Sequence, residues 1–327
     1  MSLSPKISII TPVWNGLPYI RECVESVLKQ DFQNWEMLIG DNASTDGTLD
    51  YLDTLSDPRI RVFKHAENLR IYGNLNILFK HVRSPVVQML CADDYFIEGG
   101  LRRAIAEWKR LGDDIGLIRF NWGESTVNTF CHSNIPEIVP AHLSDFYYFL
   151  FGNLPGNLSN VSVRTGAVFE AGGFREHLPY TGDFEMWSRM ARKKAQVMSV
   201  TRVSFVRRHP GVASNYLNRK GELVGQTYEV IETIFKNLKS SFSTWMLRFH
   251  AAVNFDAPHR YQGVAMILRG RSGGYLREVT RHTAAHTCLP PQIFCWLLCL
   301  LTLGGRIGRN LPARLLLRQM AAQAGNP

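Results

Sequence analysis

The chain has 327 residues, of which 45% are hydrophobic and 20% charged, a composition that is typical of a folded globular protein and excludes a disordered one. Its formal net charge is +9, but residues 1–200 carry 20 Lys and Arg against 23 Asp and Glu, whereas residues 201–327 carry 17 against 5. A basic C-terminal third is typical of chains that bind nucleic acid, anionic lipid or an anionic substrate, and composition alone does not choose among these partners.

Short apolar runs alternate with helical patterns through the first 112 residues. Strands are predicted at residues 6–11, 35–39, 60–63 and 86–91, and helices at residues 18–28, 49–55 and 71–79. Strands that alternate with helices in this way predict a mostly parallel, doubly wound α/β sheet.

The pattern is looser after residue 140. We predict a helix at residues 146–151, a strand at 161–164, a helix at 183–192 and further strands near 196–206. Beyond about residue 222 the chain has mainly helical patterns with arginines between them. The predicted domains are residues 1–221, with halves at about 1–112 and 113–221, and a basic helical region at 222–327.

The most apolar run of the chain is IFCWLLCLLTL at residues 293–303. It is shorter than the ~20 residues that a membrane-spanning helix needs. Two interpretations stay open: a buried helix, packed in the core, on the first domain or in an oligomer interface, and a helix that lies in a membrane surface. The membrane-surface interpretation is supported by four flanking arginines, Arg306, Arg309, Arg314 and Arg318.

The cysteines and the N-terminus indicate where the protein works. The six cysteines lack Cys-x-x-Cys spacing, which argues against a zinc site and against a disulfide framework. They are Cys23, Cys91, Cys131, Cys288, Cys295 and Cys299. The apolar segment between Lys6 and Pro12 is too short for a signal peptide. We therefore expect a reduced, cytoplasmic protein.

Acidic residues follow two of the predicted strands directly. Asp93 and Asp94 come just after the run at 86–91, and Asp41 comes just after the strand at 35–39. Ligands of open α/β sheets bind beyond the carboxyl ends of the strands, where such carboxylates can hold a metal ion or accept a hydrogen bond from a base. Ordinary turn and helix-cap chemistry is the competing interpretation. Neither G-x-G-x-x-G after the first strand nor G-x-x-x-x-G-K-[ST] is present, so any nucleotide is held in another way.

Four segments together resemble the family-2 glycosyltransferases of the GT-A fold. They are ISIITPVWN at 7–15, LIGDNASTDGT at 38–48, ADD at 92–94, and GGFRE at 172–176 followed by TGDFEMW at 181–187. The resemblance covers roughly residues 5–215. It implies a GT-A, Rossmann-like sheet with a helical C-terminal extension. It also implies inverting, metal-dependent sugar transfer from a nucleotide diphosphate-sugar to a hydroxyl of a glycan or lipid-linked acceptor in cell-surface polysaccharide or glycoconjugate synthesis.

The same resemblance implies a role for individual residues. Asp94 would bind Mn²⁺ or Mg²⁺, with Asp93 and His209 as further candidate ligands, and Asp183 would be the catalytic base. The nucleotide-sugar contacts would be Thr11, Pro12, Trp14, Asn15, Asp41, Asp93 and Arg208. Arg208 and His209 lie in a basic run that is equally typical of a solvated turn.

The chain departs from the family pattern at one position of the metal site. The family often carries an acid two residues before the first Asp of this pair, where this chain has Cys91. A thiol is a poor ligand for Mg²⁺ or Mn²⁺.

Asp183 is also compatible with a simple helix start, since Asp is favoured there by the helix dipole. Glu185 is a possible substitute base or acceptor-binding group.

The expected partners follow from the resemblance and from the charge. We expect a UDP-sugar or related donor, a glycan or polyprenyl-diphosphate-linked acceptor, and peripheral association with an anionic membrane at its inner face. One alternative is a sugar-phosphate nucleotidyltransferase, which needs a glycine-rich basic loop that PVWNG at 12–16 does not supply. The other is a basic nucleic-acid-binding protein. Because the arginines match no recognised nucleic-acid motif, we expect no nucleic-acid partner.

Overall fold

The computed structural model describes residues 5–121, 133–209 and 222–324. Two compact units are present within them. The first holds the described residues up to Ser144 and Asn153–Arg208, and the second holds Asp145–Gly152 and the described residues from His209 onward. The predicted domain boundary at residue 221 and the cysteine at position 131 lie outside the described residues, and the domain assignment stays a prediction.

The first unit is built on a large sheet. Its strands are β1 (Ile7–Val13), β2 (Trp35–Asp41), β3 (Ile60–Lys64), β4 (Val86–Met89), β6 (Ile115–Asn121), β7 (Ile138–Val139), β8 (Val161–Arg164) and β9 (Ala195–Arg202). They lie in the order β3-β2-β1-β4-β8-β6-β9-β7. Two short strands, β5 (Tyr95–Phe96) and β10 (Ser204–Phe205), form a separate antiparallel pair.

The pairing confirms the predicted mostly parallel sheet. β1 is parallel to both β2 and β4, β2 to β3, and β6 to β9. Two strands run against this direction, since β8 is antiparallel to β4 and β6, and β7 to β9. All seven residues of β2 are buried, which explains why its apolar residues do not alternate with polar ones: Met37, Leu38 and Ile39 are consecutive.

Helices connect and cover the strands, close to the predicted positions. In the first unit they are α1 (Leu17–Leu28), α2 (Thr48–Leu52), α3 (Arg70–Lys80), α4 (Gly100–Arg110), α6 (Thr165–Ala171) and α7 (Gly182–Ala191), while α5 (Ser144–Phe151) begins at the last residue of that unit's first segment. α1 starts with a proline in its first turn and buries Ile20, Val24 and Val27, which recur at helical spacing.

The second unit is helical, as the sequence predicts. It contains α8 (Glu222–Leu238), α9 (Thr244–Ala251), α10 (Ala257–Leu268), α11 (Gly274–Ala284), α12 (Gln292–Leu301) and α13 (Asn310–Ala324). α5 groups with it from Asp145 onward, because Phe146 stacks on Phe242 with ring centroids 4.7 Å apart. In the three described ranges, no helix has both the length and the apolar character that crossing a membrane requires.

Candidate active site

The carboxyl ends of three neighbouring strands meet at one edge of the sheet. Val13, the last residue of β1, lies opposite Asp41, the last residue of β2. On the other side of β1, Ile10 lies opposite Met89, the last residue of β4. Because the three strands are parallel, the residues predicted from the β1, β2 and β4 motifs come together at this edge.

Hydrogen bonds join the loop after β1 to the loop after β2. The Asn15 backbone N–H donates to Ser44 Oγ over 2.9 Å, and Thr45 N–H donates to Asn15 Oδ1 over 2.8 Å. Leu17 N–H donates to Asp46 Oδ2 over 3.1 Å. Asn15 has a φ of +50°, a left-handed conformation that Asn tolerates better than most residues. The two loops therefore form one braced surface beyond the sheet.

Asp41 presents a buried carboxylate at this surface. The residue is 1% exposed, and its Oδ2 accepts a hydrogen bond from Ser44 N–H over 3.2 Å. Its Oδ1 is buried and has no hydrogen-bond partner among the described residues. A buried acceptor without a donor costs about 1–3 kcal/mol, and more when it is charged. Nearby Trp14 is 58% exposed, so its ring is accessible to a ligand.

Asp94 is held beyond β4 by two neutral donors. Ser159 Oγ donates to its Oδ2 over 2.5 Å, and Arg207 N–H donates to its Oδ1 over 2.7 Å. The residue is 2% exposed, and this burial, reinforced by the charge of Asp93, raises the pKa of Asp94 to about 6, although the two hydrogen bonds oppose the rise. Asp93 itself is half-buried.

Three potential ligand atoms converge beside Asp94. The thiol of Cys91 and carboxylate oxygens of Asp93 and Asp94 lie within 4.8 Å of one another. Burial raises the pKa of the Cys91 thiol well above its usual range, so this thiol stays protonated and offers no thiolate. The two carboxylates are the oxygen ligands that Mg²⁺ and Mn²⁺ prefer. The residues present therefore fit a divalent ion held by oxygen, without help from Cys91.

Arg207 is joined to the acidic pair, next to the predicted Arg208. Besides its backbone bond to Asp94, its Nε donates to the Asp93 carbonyl over 2.9 Å, and its guanidinium pairs with Glu22 at 2.5 Å. Arg208 is exposed. His209 belongs to the second unit. The roles predicted for Arg208 and His209 stay predictions.

Asp183 lies in the first turn of α7, with its carboxylate fixed from two directions. Asn153 Nδ2 donates to Oδ2 over 2.8 Å, and the Tyr72 hydroxyl donates to Oδ1 over 3.3 Å while accepting from Asp183 N–H over 3.0 Å. Burial raises the pKa of Asp183, and these hydrogen bonds oppose the rise. The donors that orient this carboxylate among the described residues, the Asn153 amide, the Tyr72 hydroxyl and the Phe184 N–H, are all neutral.

Tyr72 is positioned by its aromatic neighbours and by a glycine. Its ring stacks on Phe174 with centroids 5.1 Å apart. A Cβ added at Gly182 would lie 2.6 Å from the Tyr72 ring, so the residue before Asp183 has to be glycine for the ring to come this close. Burial, followed by the charge of Asp183, raises the pKa of the Tyr72 hydroxyl well above its usual range.

Glu185 has a different environment from Asp183, although it is two residues away on the same helix. Arg189 donates to both of its carboxylate oxygens, over 2.8 and 2.7 Å, and Arg175 Nε lies 3.2 Å away. Two cations thus neutralise this buried acid. We interpret Glu185 as a structural residue that ties α7 to the segment before it.

Three side chains that hold the predicted acids were missed from the sequence. Ser159 reaches Asp94 across 65 residues, Tyr72 reaches Asp183 across 111, and Asn153 reaches it across 30. Ser159 also accepts from Cys91 N–H over 2.8 Å, so it braces both ends of the acidic turn. No periodicity or spacing signals such partners, because tertiary packing alone brings them together.

Comparison with known proteins agrees with this geometry. Residues 8–178 match the model of glycosyl transferase family 2. EpsE of Bacillus subtilis (strain 168), which carries a provisional glycosyltransferase name, is 33% identical over 110 residues, which are 32% of this chain and 39% of EpsE. The chain thus spans well under two thirds of that relative.

Solved structures are similar in fold. S. aureus TarS 1-349 in complex with UDP-GlcNAc has a TM-score of 0.64 at 17% identity, over 94% of this chain and 90% of that one. The mannosyltransferase PcManGT from Pyrobaculum calidifontis, in complex with GDP-Man and Mn²⁺, has a TM-score of 0.54 at 16% identity, over 99% and 88%. At these identities the likeness concerns the fold, and it agrees with the GT-A sheet predicted from the sequence.

Replacing Asp94 by asparagine is expected to stabilise the metal-free protein at neutral pH. The carboxyl titrates at about 6 in the folded protein and near 3.9 when unfolded, so stability falls as the pH rises through this interval. Asp94→Asn should raise the free energy of unfolding by up to about 3 kcal/mol at about pH 8, measured by urea denaturation with a chelator present. The gain should shrink below about pH 4.5.

Asp50→Asn is the control, because Asp50 is an exposed acid in a helix of the same unit. Its effect should stay within about 0.5 kcal/mol at both pH values. A gain for Asp94→Asn that is the same in acid and at neutral pH would show that the buried charge is not its source.

Proposed function

The chain belongs to glycosyl transferase family 2, and from that membership we propose an inverting, metal-dependent transfer of sugar from a nucleotide diphosphate-sugar to a glycan or lipid-linked hydroxyl. One observation carries the proposal. An incompletely bonded carboxylate at Asp41, an acidic pair at Asp93 and Asp94, and an oriented carboxylate at Asp183 all belong to the same sheet unit.

The donor nucleotide is proposed to bind at the braced loops. Asp41 Oδ1 would accept a hydrogen bond from a ring N–H of the base, which would remove the cost of its buried, unpaired state. Uracil, thymine and guanine all offer such a donor, and we favour a UDP-sugar. Thr11, Pro12, Trp14 and Asn15 would line the pocket, and Arg208 would contact the diphosphate. The TarS and PcManGT structures hold UDP-GlcNAc and GDP-Man respectively.

Asp94 is proposed as the main ligand of Mn²⁺ or Mg²⁺, supported by Asp93, with His209 as a further candidate. When bound, such an ion would offset the negative charge that grows on the diphosphate leaving group. The chain's own contribution is to hold the Asp94 carboxylate still. Ser159 and the Arg207 N–H each use one lone pair of a different oxygen, so both oxygens keep a second lone pair for a cation.

Asp183 is proposed as the general base. It would take the proton of the acceptor hydroxyl as that oxygen bonds to the anomeric carbon, while the bond from this carbon to the diphosphate oxygen breaks on the opposite face. Attack from the opposite face inverts the anomeric configuration. Beside Asp183, the buried Asn153 Oδ1 and Thr181 Oγ1 have no hydrogen-bond partner within the part of the chain that the structure describes. They are suited to bind the acceptor's hydroxyls.

The acceptor is proposed to be a glycan, or a polyprenyl-diphosphate-linked glycan at the inner face of a membrane, in polysaccharide or glycoconjugate synthesis. The nucleotidyltransferase alternative gains no support, because the loop after β1 is braced by Asn15 and Ser44 and carries no basic residue. The second unit has no recognised nucleic-acid motif in its sequence, so the nucleic-acid alternative gains none either.

Donor binding is expected to stabilise the folded protein in a metal-dependent way. A UDP-sugar at about 100 times its Kd should add about 2.7 kcal/mol, which a thermal-shift assay with Mn²⁺ detects as a higher Tm. dTDP- and GDP-sugars should give smaller shifts. EDTA or Asp94→Ala should abolish sugar transfer, and activity in Asp94→Ala with EDTA present would refute metal-dependent transfer through this site.

Replacing the proposed base should separate chemistry from donor binding. Asp183→Asn keeps the shape of the side chain but cannot accept the proton, so kcat should fall about 10²- to 10⁴-fold. The donor-induced Tm shift should persist, because Asp183 is not proposed to contact the nucleotide. Glu185→Gln is the comparison variant. It should lower the free energy of unfolding and change kcat much less than Asp183→Asn does. A greater loss of kcat in Glu185→Gln than in Asp183→Asn would identify Glu185, and not Asp183, as the base.

The hydroxyl of Tyr72 should tune the basicity of Asp183. Its hydrogen bond stabilises the charged carboxylate, so Tyr72→Phe should raise the pKa of Asp183 further. The acidic limb of the kcat profile should then move to higher pH, with kcat at the optimum lower by roughly ten-fold, since the carboxylate loses one of its two side-chain braces. A lower kcat without any movement of the acidic limb would contradict this assignment.

A further inference from the structure

α12 carries apolar side chains on a face that its own unit leaves uncovered. Ile293, Phe294, Leu297, Leu300 and Leu301 are 75%, 54%, 48%, 69% and 67% exposed. Positions i, i+1, i+4, i+7 and i+8 lie on one side of a helix. A helix wholly buried in the core of this unit is therefore excluded, and an interface with a second copy or with a membrane surface stays open.

The exposed apolar surface continues past the end of α12. Leu303, Ile307 and Leu311 are each more than half exposed. The neighbouring helix α10 packs against α12 and adds exposed residues, of which Tyr261 contacts the turn after α12: a Cβ added at Gly304 would lie 2.3 Å from Tyr261 Cβ. We call the exposed residues of α12 and the segment after it the apolar face. They are Ile293, Phe294, Leu297, Leu300, Leu301, Leu303, Ile307 and Leu311.

The part of the chain that carries the apolar face contains many arginines and almost no acidic residues. From residue 257 to the C-terminus the sequence holds nine arginines, no lysine and a single acid, Glu278. Eight of these arginines are exposed, namely Arg269, Arg271, Arg277, Arg281, Arg306, Arg309, Arg314 and Arg318. An apolar surface with cations and few acids is complementary to lipid with anionic headgroups.

We propose that the apolar face docks the protein on an anionic lipid bilayer. α12 has ten residues and is about 15 Å long, half the ~30 Å of a hydrocarbon core, so it would lie in the interface rather than cross. Its leucines enter the acyl region, and the arginines reach the headgroups. A symmetric contact with a second copy would instead bring like charges together. The proposal deepens the proposed function, since it supplies the membrane that a lipid-linked acceptor requires.

Vesicle flotation with the full chain tests the proposal. At about 0.1 M salt the protein should float with vesicles of phosphatidylcholine containing about 30% phosphatidylglycerol and bind pure phosphatidylcholine much more weakly. Leu300→Glu should weaken binding at least ten-fold, because it places a charge where an apolar side chain would be buried. Arg309→Gln and Arg318→Gln should each weaken it about five-fold.

Val200→Glu is the matched control, because Val200 is 88% exposed on β9 in the other unit and the change in charge is the same. It should bind vesicles as the unaltered protein does. Equal loss in Val200→Glu and Leu300→Glu, or no vesicle binding at all, would overturn the proposal. The proposal would also be overturned if the protein were a dimer and Leu300→Glu converted it to a monomer without changing flotation.

The flotation assay contains neither donor nor acceptor, so its result does not depend on sugar transfer. Donor-induced stabilisation is measured in parallel on the same variants. Lost flotation with intact donor binding overturns the lipid surface alone, whereas intact flotation without donor binding counts against the proposed transfer function.

Discussion

The candidate active site depends on the parallel pairing of β2, β1 and β4. Apart from Pro12, every residue of these strands is buried, so a ligand can reach polar groups only where a strand ends. The register that sets Val13 opposite Asp41 also brings the loop containing Asn15 against the loop containing Ser44 and Thr45. A shift of one residue would turn every side chain of a strand to the other face. The positions of the acidic residues are thus a property of the sheet register rather than of the loops alone.

Three acids of the first unit differ in how their buried charge is compensated. Asp94 and Asp183 receive hydrogen bonds from neutral donors, which fix the carboxylate while leaving its charge available. Glu185 is bound by two arginines, which neutralise it. Only the first arrangement keeps the attraction for a metal ion or a proton. This difference separates reactive from structural acids where burial alone does not, because all three have restricted access to solvent.

Much of the fold and part of the site could be predicted from the sequence. Periodicity located the strands and helices, and strand ends located Asp41, Asp93 and Asp94. The antiparallel direction of β8 could not be predicted, because a four-residue strand carries no directional signal. Ser159 and Tyr72 could not be found either, since their bonds to the acids depend on packing between distant segments. The exposure of α12 was undetermined for a related reason: it is apolar on every side, and periodicity shows a covered face only when the other face is polar.

A buried charge determines which face of α12 is exposed. Arg260 on α10 is fully buried, pairs with Asp256, and its guanidinium lies 4.8 Å from the centre of the Trp296 ring. It also donates to Gln292 Oε1. Gln292 and Trp296 are one turn apart, so this single cation orients the helix about its axis, with Cys295 and Cys299 on the buried side. Because removing Arg260 from its partners would leave charges unpaired in the interior, α12 cannot rotate to bury its leucines without a large cost. The interaction that fixes α12 against α10 therefore keeps an apolar surface exposed to its surroundings.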